Sequence, residues 1–228
     1  MANKPVFNGF TNETFEFFMA IRFNNNRPFF QSNHDWYMRA VREPCLALAD
    51  ALADVVEEID PDLDRRPNKA LSRINRDIRY TRDKSPYRDC LWLAFRRPGE
   101  ERKTTVGVFV DIRDTVISYG MGVYLENREL MNSIRAYIEK SPQEFLNAYL
   151  PVKDDFTLYV MPNKRMKVPE GVPEALIPWY TAKNFYLEAE ITDYDLICSP
   201  ELADEIKKGY LRLKPLYEII RALQPAAL

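Results

Sequence analysis

With 228 residues, 46% of them apolar and 13% aromatic, the chain can bury a full core and sits near the upper end of the size of one domain. Its net charge of −2 excludes a general binder of nucleic acid or of anionic membrane, whose affinity rests on a basic surface. No apolar run approaches the roughly 20 residues of a membrane span, and the opening stretch, with Asn3, Lys4 and Pro5 before Phe7, has no signal-peptide core, so the expected compartment is the cytoplasm.

Asn12 to Phe23 carries Phe15, Phe18, Met19 and Arg22 at helical spacing behind Thr11 or Asn12 as a cap, and predicts a helix that stops at Asn24, Asn25 and Asn26. Pro28 suits the first turn of a second helix, whose face would hold Phe29, Phe30, Trp36, Tyr37 and Val41. Pro44 predicts the start of a third, with Cys45, Leu48, Leu52, Val55, Val56 and Ile59 as its apolar stripe and Asp50, Asp54, Glu57 and Glu58 on the wet face. Glu43 to Asp64 holds eight acids and no Lys or Arg, directly before a strongly basic segment, so the two blocks are expected to neutralise one another.

Past that segment the period shortens. Cys90 to Phe95, Thr105 to Ile112 and Thr115 to Met121 are β-rich runs, joined by the turn signal Arg97, Pro98, Gly99 and a tight Arg113, Asp114 connection, which predicts an antiparallel meander. Asn127 to Lys140 reads as a helix through Leu130, Met131, Ile134 and Ile138, and Ser141, Pro142 and Glu144 compose a capping box for another running to Leu150. A strand is expected over Phe156 to Met161, and a half-buried one where Phe185, Leu187, Ala189 and Ile191 alternate with Glu188 and Glu190. Ser199 and Pro200 open a last helix that Pro215 should break or kink. The order predicts an α+β fold, an antiparallel β-meander sheet packed with N-terminal and C-terminal helices, as a single compact domain over residues 1–228.

Arginine recurs at every third position through Arg73, Arg76, Arg79 and Arg82, and this ribbon closes on Lys84, Tyr87 and Arg88. Between Arg65 and Arg88 nine Lys or Arg face two acids, Asp77 and Asp83, so the segment carries +7 while the rest of the chain sums to −9. Clustered guanidinium groups repel one another unless something anionic lies among them, either a ligand or the protein's own carboxylates. An α-helix would fan the four arginines round half its surface, whereas a 3₁₀ or polyproline-like segment would line them on one edge. Leu71, Ile74 and Ile78 predict a helical turn carrying Arg73 and Arg76, and Pro86 with the polar run after Tyr80 predicts a loop above the sheet from Arg79 to Tyr87.

Other chemistries lack their residues. Seven glycines, of which only Gly120 and Gly122 lie close together, make no glycine-rich phosphate cradle. The single histidine, His34, leaves no histidine metal cluster and reads as a solvated helix residue. Cys45, Cys90 and Cys198 lie far apart without zinc spacing and fit reduced thiols, and no serine occupies a nucleophile elbow. No metal and no cofactor are expected, and anion capture by side chains is the chemistry that remains. Tyr80, Tyr87 and Trp92 are near enough to the ribbon to stack on a base, although aromatics beside a strand start are more often core.

Asn24-Asn25 after a Phe-rich helix, Arg73-Ile74, Arg76-Asp77 with Arg79-Tyr80, and Asp83-Lys84-Ser85-Pro86-Tyr87 together resemble the uncharacterised bacterial family catalogued as domain of unknown function 2461. Gly120, Gly122 and Tyr124 before a helix bearing Arg135 resemble its glycine turn and helix arginine, and Lys183 before Phe185 resembles its lysine near a late strand. The string from Arg76 to Tyr87 is the specific part. Leu125 replaces the family's proline after the tyrosine, and Val172, Pro173 and Glu174 stand in place of an Asp-His-Pro-like element, so no role of that histidine carries over. The resemblance implies a cytoplasmic single-domain α+β protein and transfers no mechanism.

The expected site is a pocket for a small anion, phosphate-bearing or nucleotide-like, lined by Arg73, Arg76, Arg79 and Lys84 and joined by Arg135 and Lys183, with Asn24 and Asn25 adding neutral hydrogen bonds. Were the site catalytic, Asp77 or Asp83 would act as base and Tyr87 or a lysine as acid, the arginines stabilising developing charge. Two alternatives stand beside it. One is a module that docks single-stranded nucleic acid or an acidic protein partner, and the other is an internal staple in which the protein's own carboxylates neutralise the arginines and function lies elsewhere.

Overall fold

The alternation after Cys90 is realised as a five-stranded, wholly antiparallel sheet in the order β1-β2-β3-β5-β4, with β1 Leu91–Phe95, β2 Gly107–Ile112, β3 Ile117–Val123, β4 Thr157–Pro162 and β5 Ala182–Ile191. A computed structural model describes residues 6–79, 82–101, 103–114 and 116–224. Asn3, Lys4 and Pro5, Tyr80 of the ribbon, and Thr115 at the expected start of the third strand lie outside the described residues. The first three strands form the expected meander, and β5 returns to pair with β3 and carries β4 to the outer edge. Register aligns Leu93, Val110, Tyr119 and Ala189 in one row, and the neighbouring rows place Leu91, Phe95, Val108, Met121, Phe185 and Leu187 on the same buried face. Trp92, Phe109, Asp111, Tyr186 and Glu188 occupy the other face and are half-buried.

The glycine pair lies inside β3, not in a turn. A Cβ on Gly120 would stand 1.8 Å from the Leu187 carbonyl oxygen and one on Gly122 2.5 Å from the Tyr186 Cα, so these two residues let the β5 backbone close on β3.

The buried sheet face shares one hydrophobic core with Phe17, Phe18 and Ile21 of α1 (Asn12–Phe23), Ile134 of α7 (Arg128–Lys140), and Ile206, Tyr210 and Leu216 of α11 (Glu201–Leu223). Asn127 caps α7 by accepting from the Leu130 N–H at 3.0 Å. The capping box expected for α8 (Pro142–Tyr149) is not made: Ser141 gives no side-chain cap bond, and the Glu144 carboxylate accepts instead from the Tyr137 hydroxyl at 2.6 Å. Pro215 does not end α11. It lies on the exposed side, while Leu213, Leu216, Tyr217 and Ile220 around it are buried, and that burial outweighs one missing backbone bond. No described helix is long and apolar enough to cross a membrane.

Pro44 does not open a new helix either. After α2 (Arg27–Ser32), α3 (His34–Tyr37) runs through a π-helical turn over Met38–Arg42 into α4 (Glu43–Ala51), with α5 (Ala53–Ile59) following. A proline has no N–H for the carbonyl four residues back, here that of Ala40. Thr14 of α1 replaces it, its buried hydroxyl donating to the Ala40 oxygen at 2.6 Å, while the Glu43 N–H reaches back to Met38. A mid-helix proline is thus accommodated by a wider turn and a hydroxyl from another helix.

The acidic block finds most of its partners outside the ribbon. Arg97 forks onto Asp60 at 2.8 and 2.9 Å, Lys207 meets Asp54 at 2.8 Å and Lys214 reaches Glu58 at 3.6 Å. From the basic segment Arg65 pairs with Glu57 and Arg66 with Asp64. Asp60 is 3% exposed and also accepts from the Tyr217 hydroxyl at 2.8 Å, which joins α5, the β1–β2 loop and α11. Burial by itself raises its pKa, but the Arg97 fork, the Tyr217 hydroxyl and the Asp62 N–H outweigh that cost, and the net shift is downward.

Two outcomes follow from these contacts. Thr14→Val keeps the shape and removes the donor, and should lower unfolding free energy in urea by about 2 kcal/mol. Because the folded pKa of Asp60 is depressed, its contribution is whole above the unfolded value of about 3.9 and fades as pH falls through the folded one. Asp60→Asn should therefore cost about 3 kcal/mol at pH 7, and its gap to wild type should narrow below about pH 4.

Candidate functional site

The ribbon does not form the expected helical turn. Leu71, at φ −68° and ψ 128°, ends α6 (Pro67–Ala70) and bridges Leu93 of β1. The Ser72 N–H then bonds the Trp92 oxygen at 2.8 Å, the Arg88 N–H the Ile74 oxygen at 2.8 Å and the Arg76 N–H the Pro86 oxygen at 2.9 Å. An Asn75–Tyr87 bridge completes an irregular antiparallel hairpin along the outer edge of β1. Helix propensity is a weak preference, and backbone partners offered by an open strand edge override it. In extended chain successive side chains alternate, so arginines three apart leave on opposite sides.

Arg76 and Arg79 go to carboxylates of the same chain. Arg76 meets Asp83 at 2.5 Å and approaches Asp89 at 3.9 Å, and Asp89 in turn accepts from Arg22 at 2.7 Å, whose other arm lies 2.7 Å from Asp114. Arg79 forks onto Asp77 at 2.9 and 2.7 Å, and Lys84 donates to the Ile78 carbonyl at 2.7 Å. The Arg79 side chain and N–H hold the Asp77 carboxyl well below the usual carboxylate range, with Lys103 adding to the effect. Ser85, and then Arg76, lower that of Asp83. Carboxylates held this way are poor proton acceptors at neutral pH, which weighs against either as a general base. Tyr87 is 6% exposed and stacks on Phe30 with centroids 4.3 Å apart. Arg88 covers the Trp92 ring at 4.6 Å.

Asn25 acts on the backbone of the ribbon. Its amide donates to the Tyr87 oxygen and accepts from the Tyr87 N–H, both at 3.0 Å, so that a side chain replaces a strand partner. Asn24 bonds the Ala20 carbonyl of its own helix at 3.0 Å. Arg135 is 9% exposed and donates to the Tyr180 oxygen at 2.7 Å, the Ala182 oxygen at 2.5 Å and Asn132 at 2.7 Å, which ties α7 to α9 (Ile177–Thr181) and β5. Lys183 lies 3.6 Å from Glu126. The structure therefore brings Arg76, Asp77, Arg79, Asp83, Lys84, Tyr87 and Asn25 together on the hairpin, and sets Arg135 and Lys183 on contacts of their own.

Arg73 leaves on the other side and borders an open cleft of about 300 Å³. The lining divides by chemistry: Phe30, His34, Tyr37, Met38, Leu71 and Ile74 are apolar or aromatic, and Arg42, Asn68, Ser72, Arg73 and Asn75 are polar. Arg42 donates to the Asn68 side-chain oxygen at 2.7 Å, and among the described residues neither Arg42 nor Arg73 meets a carboxylate. Ser72 Oγ accepts from the Trp92 N–H at 3.0 Å, which leaves the hydroxyl proton to be donated.

A model of the family described as conserved hypothetical protein (DUF2461) matches residues 13–218. The chain belongs to this family. The matched DUF2461 span runs from α1 into α11 and includes the hairpin, the cleft and the π-helical turn. No curated protein matches the chain.

Arg42, Asn68, Ser72 and the Phe30 wall were not among the residues expected at a site of this DUF2461 chain, and His34 was read as a solvated helix residue. Its side chain is 53% exposed and also lines the cleft. The signal was in the spacing: Phe30, His34, Met38 and Arg42 recur every four residues. Four residues of α-helix overshoot a full turn by about 40°, and the wider π-helical turn offsets part of that drift, keeping Arg42 with the others. Asn25→Ala should lower unfolding free energy by about 2 kcal/mol and speed hydrogen exchange at the Tyr87 amide, whereas Asn24→Ala should leave that amide protected.

Proposed function

We propose that the protein binds a small phosphate-bearing anion in this cleft through Arg42 and Arg73. The observation that carries the reading is that two guanidinium groups, one from the π-helical turn and one from the ribbon, border the same hollow and among the described residues neither has a carboxylate. A planar guanidinium matches the oxygens of phosphate in pairs, and two of them favour a dianion. The Asn68 amide and the Ser72 hydroxyl supply neutral donors beside them. Arg76, Arg79 and Lys84 lie outside the cleft lining, held by their own carboxylates and carbonyls. The same reading puts the protein in the cytoplasm, supported by the three free cysteines Cys45, Cys90 and Cys198.

Thermal-shift and calorimetric titration with inorganic phosphate and pyrophosphate test the proposal. A ligand at 100 times its Kd stabilises the folded state by about 2.7 kcal/mol, a shift easily read. Wild type and Arg79→Ala should show it, and Arg42→Ala with Arg73→Ala should not. If Arg79→Ala loses the shift and the double variant keeps it, the site is the hairpin tip. If no anion shifts wild type, the reading fails. A steep salt dependence with an oligonucleotide, absent with phosphate, would point to a nucleic-acid dock instead.

A further inference from the structure

We infer that the anion held by Arg42 and Arg73 carries a flat ring, and that the cleft takes a nucleoside monophosphate. The inference rests on the anion reading and adds the other end of the ligand. On the stripe Phe30, His34, Met38, Arg42 the ring-bearing residues precede the guanidinium, so the chain from α2 through α3 to the π-helical turn presents first an apolar surface and then a charge.

Phe30 is fixed for this purpose. Its ring stacks on Tyr87 at 4.3 Å, meets Tyr37 at 5.4 Å and stands perpendicular to His34 at 5.7 Å, yet the residue remains half-exposed at the cleft. A ring held by three aromatic neighbours is a rigid platform, and a second flat ring gains most from it. Met38 adds a polarisable thioether at the same wall. Asn68, Ser72 and Asn75 add neutral donors and acceptors, the groups that read sugar hydroxyls and base edges. A hollow of about 300 Å³ is at the small end of ligand sites, which suits a mononucleotide and is too small for a dinucleotide cofactor.

Calorimetric titration of the full chain with AMP, GMP, CMP, UMP, ribose 5-phosphate and inorganic phosphate decides the matter. The best nucleotide should bind at least about tenfold more tightly than ribose 5-phosphate, the gain expected of one stacked base. Phe30→Leu should erase that advantage and leave ribose 5-phosphate binding in place. Since Phe30 also packs on Tyr87, Met38→Ala serves as the second variant, and it too should weaken nucleotide binding alone. Equal affinities for ribose 5-phosphate and every nucleotide would overturn the ring inference and leave the anion reading standing. Nucleotide binding that neither variant changes would also overturn it, and no binding by any of the six would bring down both.

Discussion

Competition between carboxylates for guanidinium groups governs this molecule. Asp89 stands between Arg22 and Arg76, and the line from Asp114 through Arg22, Asp89 and Arg76 to Asp83 ties the end of α1 to the β2–β3 turn and to the ribbon. An isolated exposed pair contributes little. Here the members share partners and are partly shielded, with Arg76 26% and Asp89 30% exposed, so each charge fixes the position of the next. The arginines that find such partners become structure. Among the described residues Arg73 and Arg42 meet no carboxylate, and these two border one hollow.

The backbone decides which arginines are in reach. Had residues 71–79 formed a helical turn, Arg73 and Arg76 would have lain on adjoining faces and faced the same carboxylates. Instead the segment covers the open edge of β1, the customary remedy for an unpaired strand, and the alternation of extended chain divides the two arginines. Internal staple and anion site are therefore not rival accounts of the ribbon. The first describes Arg76 and Arg79, and the second is the proposal made for Arg73.

What could be read in the sequence was what depends on local period. The helix over residues 12–23, the meander and the helix through Leu130, Met131, Ile134 and Ile138 show burial at fixed spacing, and they fold where that spacing places them. What could not be read depends on a partner far along the chain. Thr14 lies 26 residues from the Ala40 carbonyl that it satisfies, Asn25 lies 62 from Tyr87, and Arg135 lies 45 and 47 from the carbonyls it holds. Pro44 looked like a helix start because its missing N–H is tolerated there without help, whereas in mid-helix it needs a donor that only the fold can bring. For the site, the residue types were legible, but which cations had been neutralised was a tertiary question. The stripe from Phe30 to Arg42 was hidden because the second helix was read for the face of Phe29, Phe30, Trp36, Tyr37 and Val41, whereas its break at Asn33 and its π-helical turn come with the fold.

One helix controls both walls of the cleft. From within α1, Thr14 supports the π-helical turn that ends on Arg42; just past its end, Asn25 holds Tyr87 and so the hairpin that carries Arg73. Neither residue lines the hollow, yet each holds a segment that carries one of the two guanidinium groups. Segments fixed by a buried hydroxyl and a paired amide would lose little freedom on binding the proposed anion, which would leave more of the electrostatic attraction as affinity. Loosening either contact would widen or skew the pair without altering a single residue that lines the cleft. It follows that the proline in mid-helix and the asparagine after α1, which look like local irregularities, are the two joints on which the geometry of the proposed site rests.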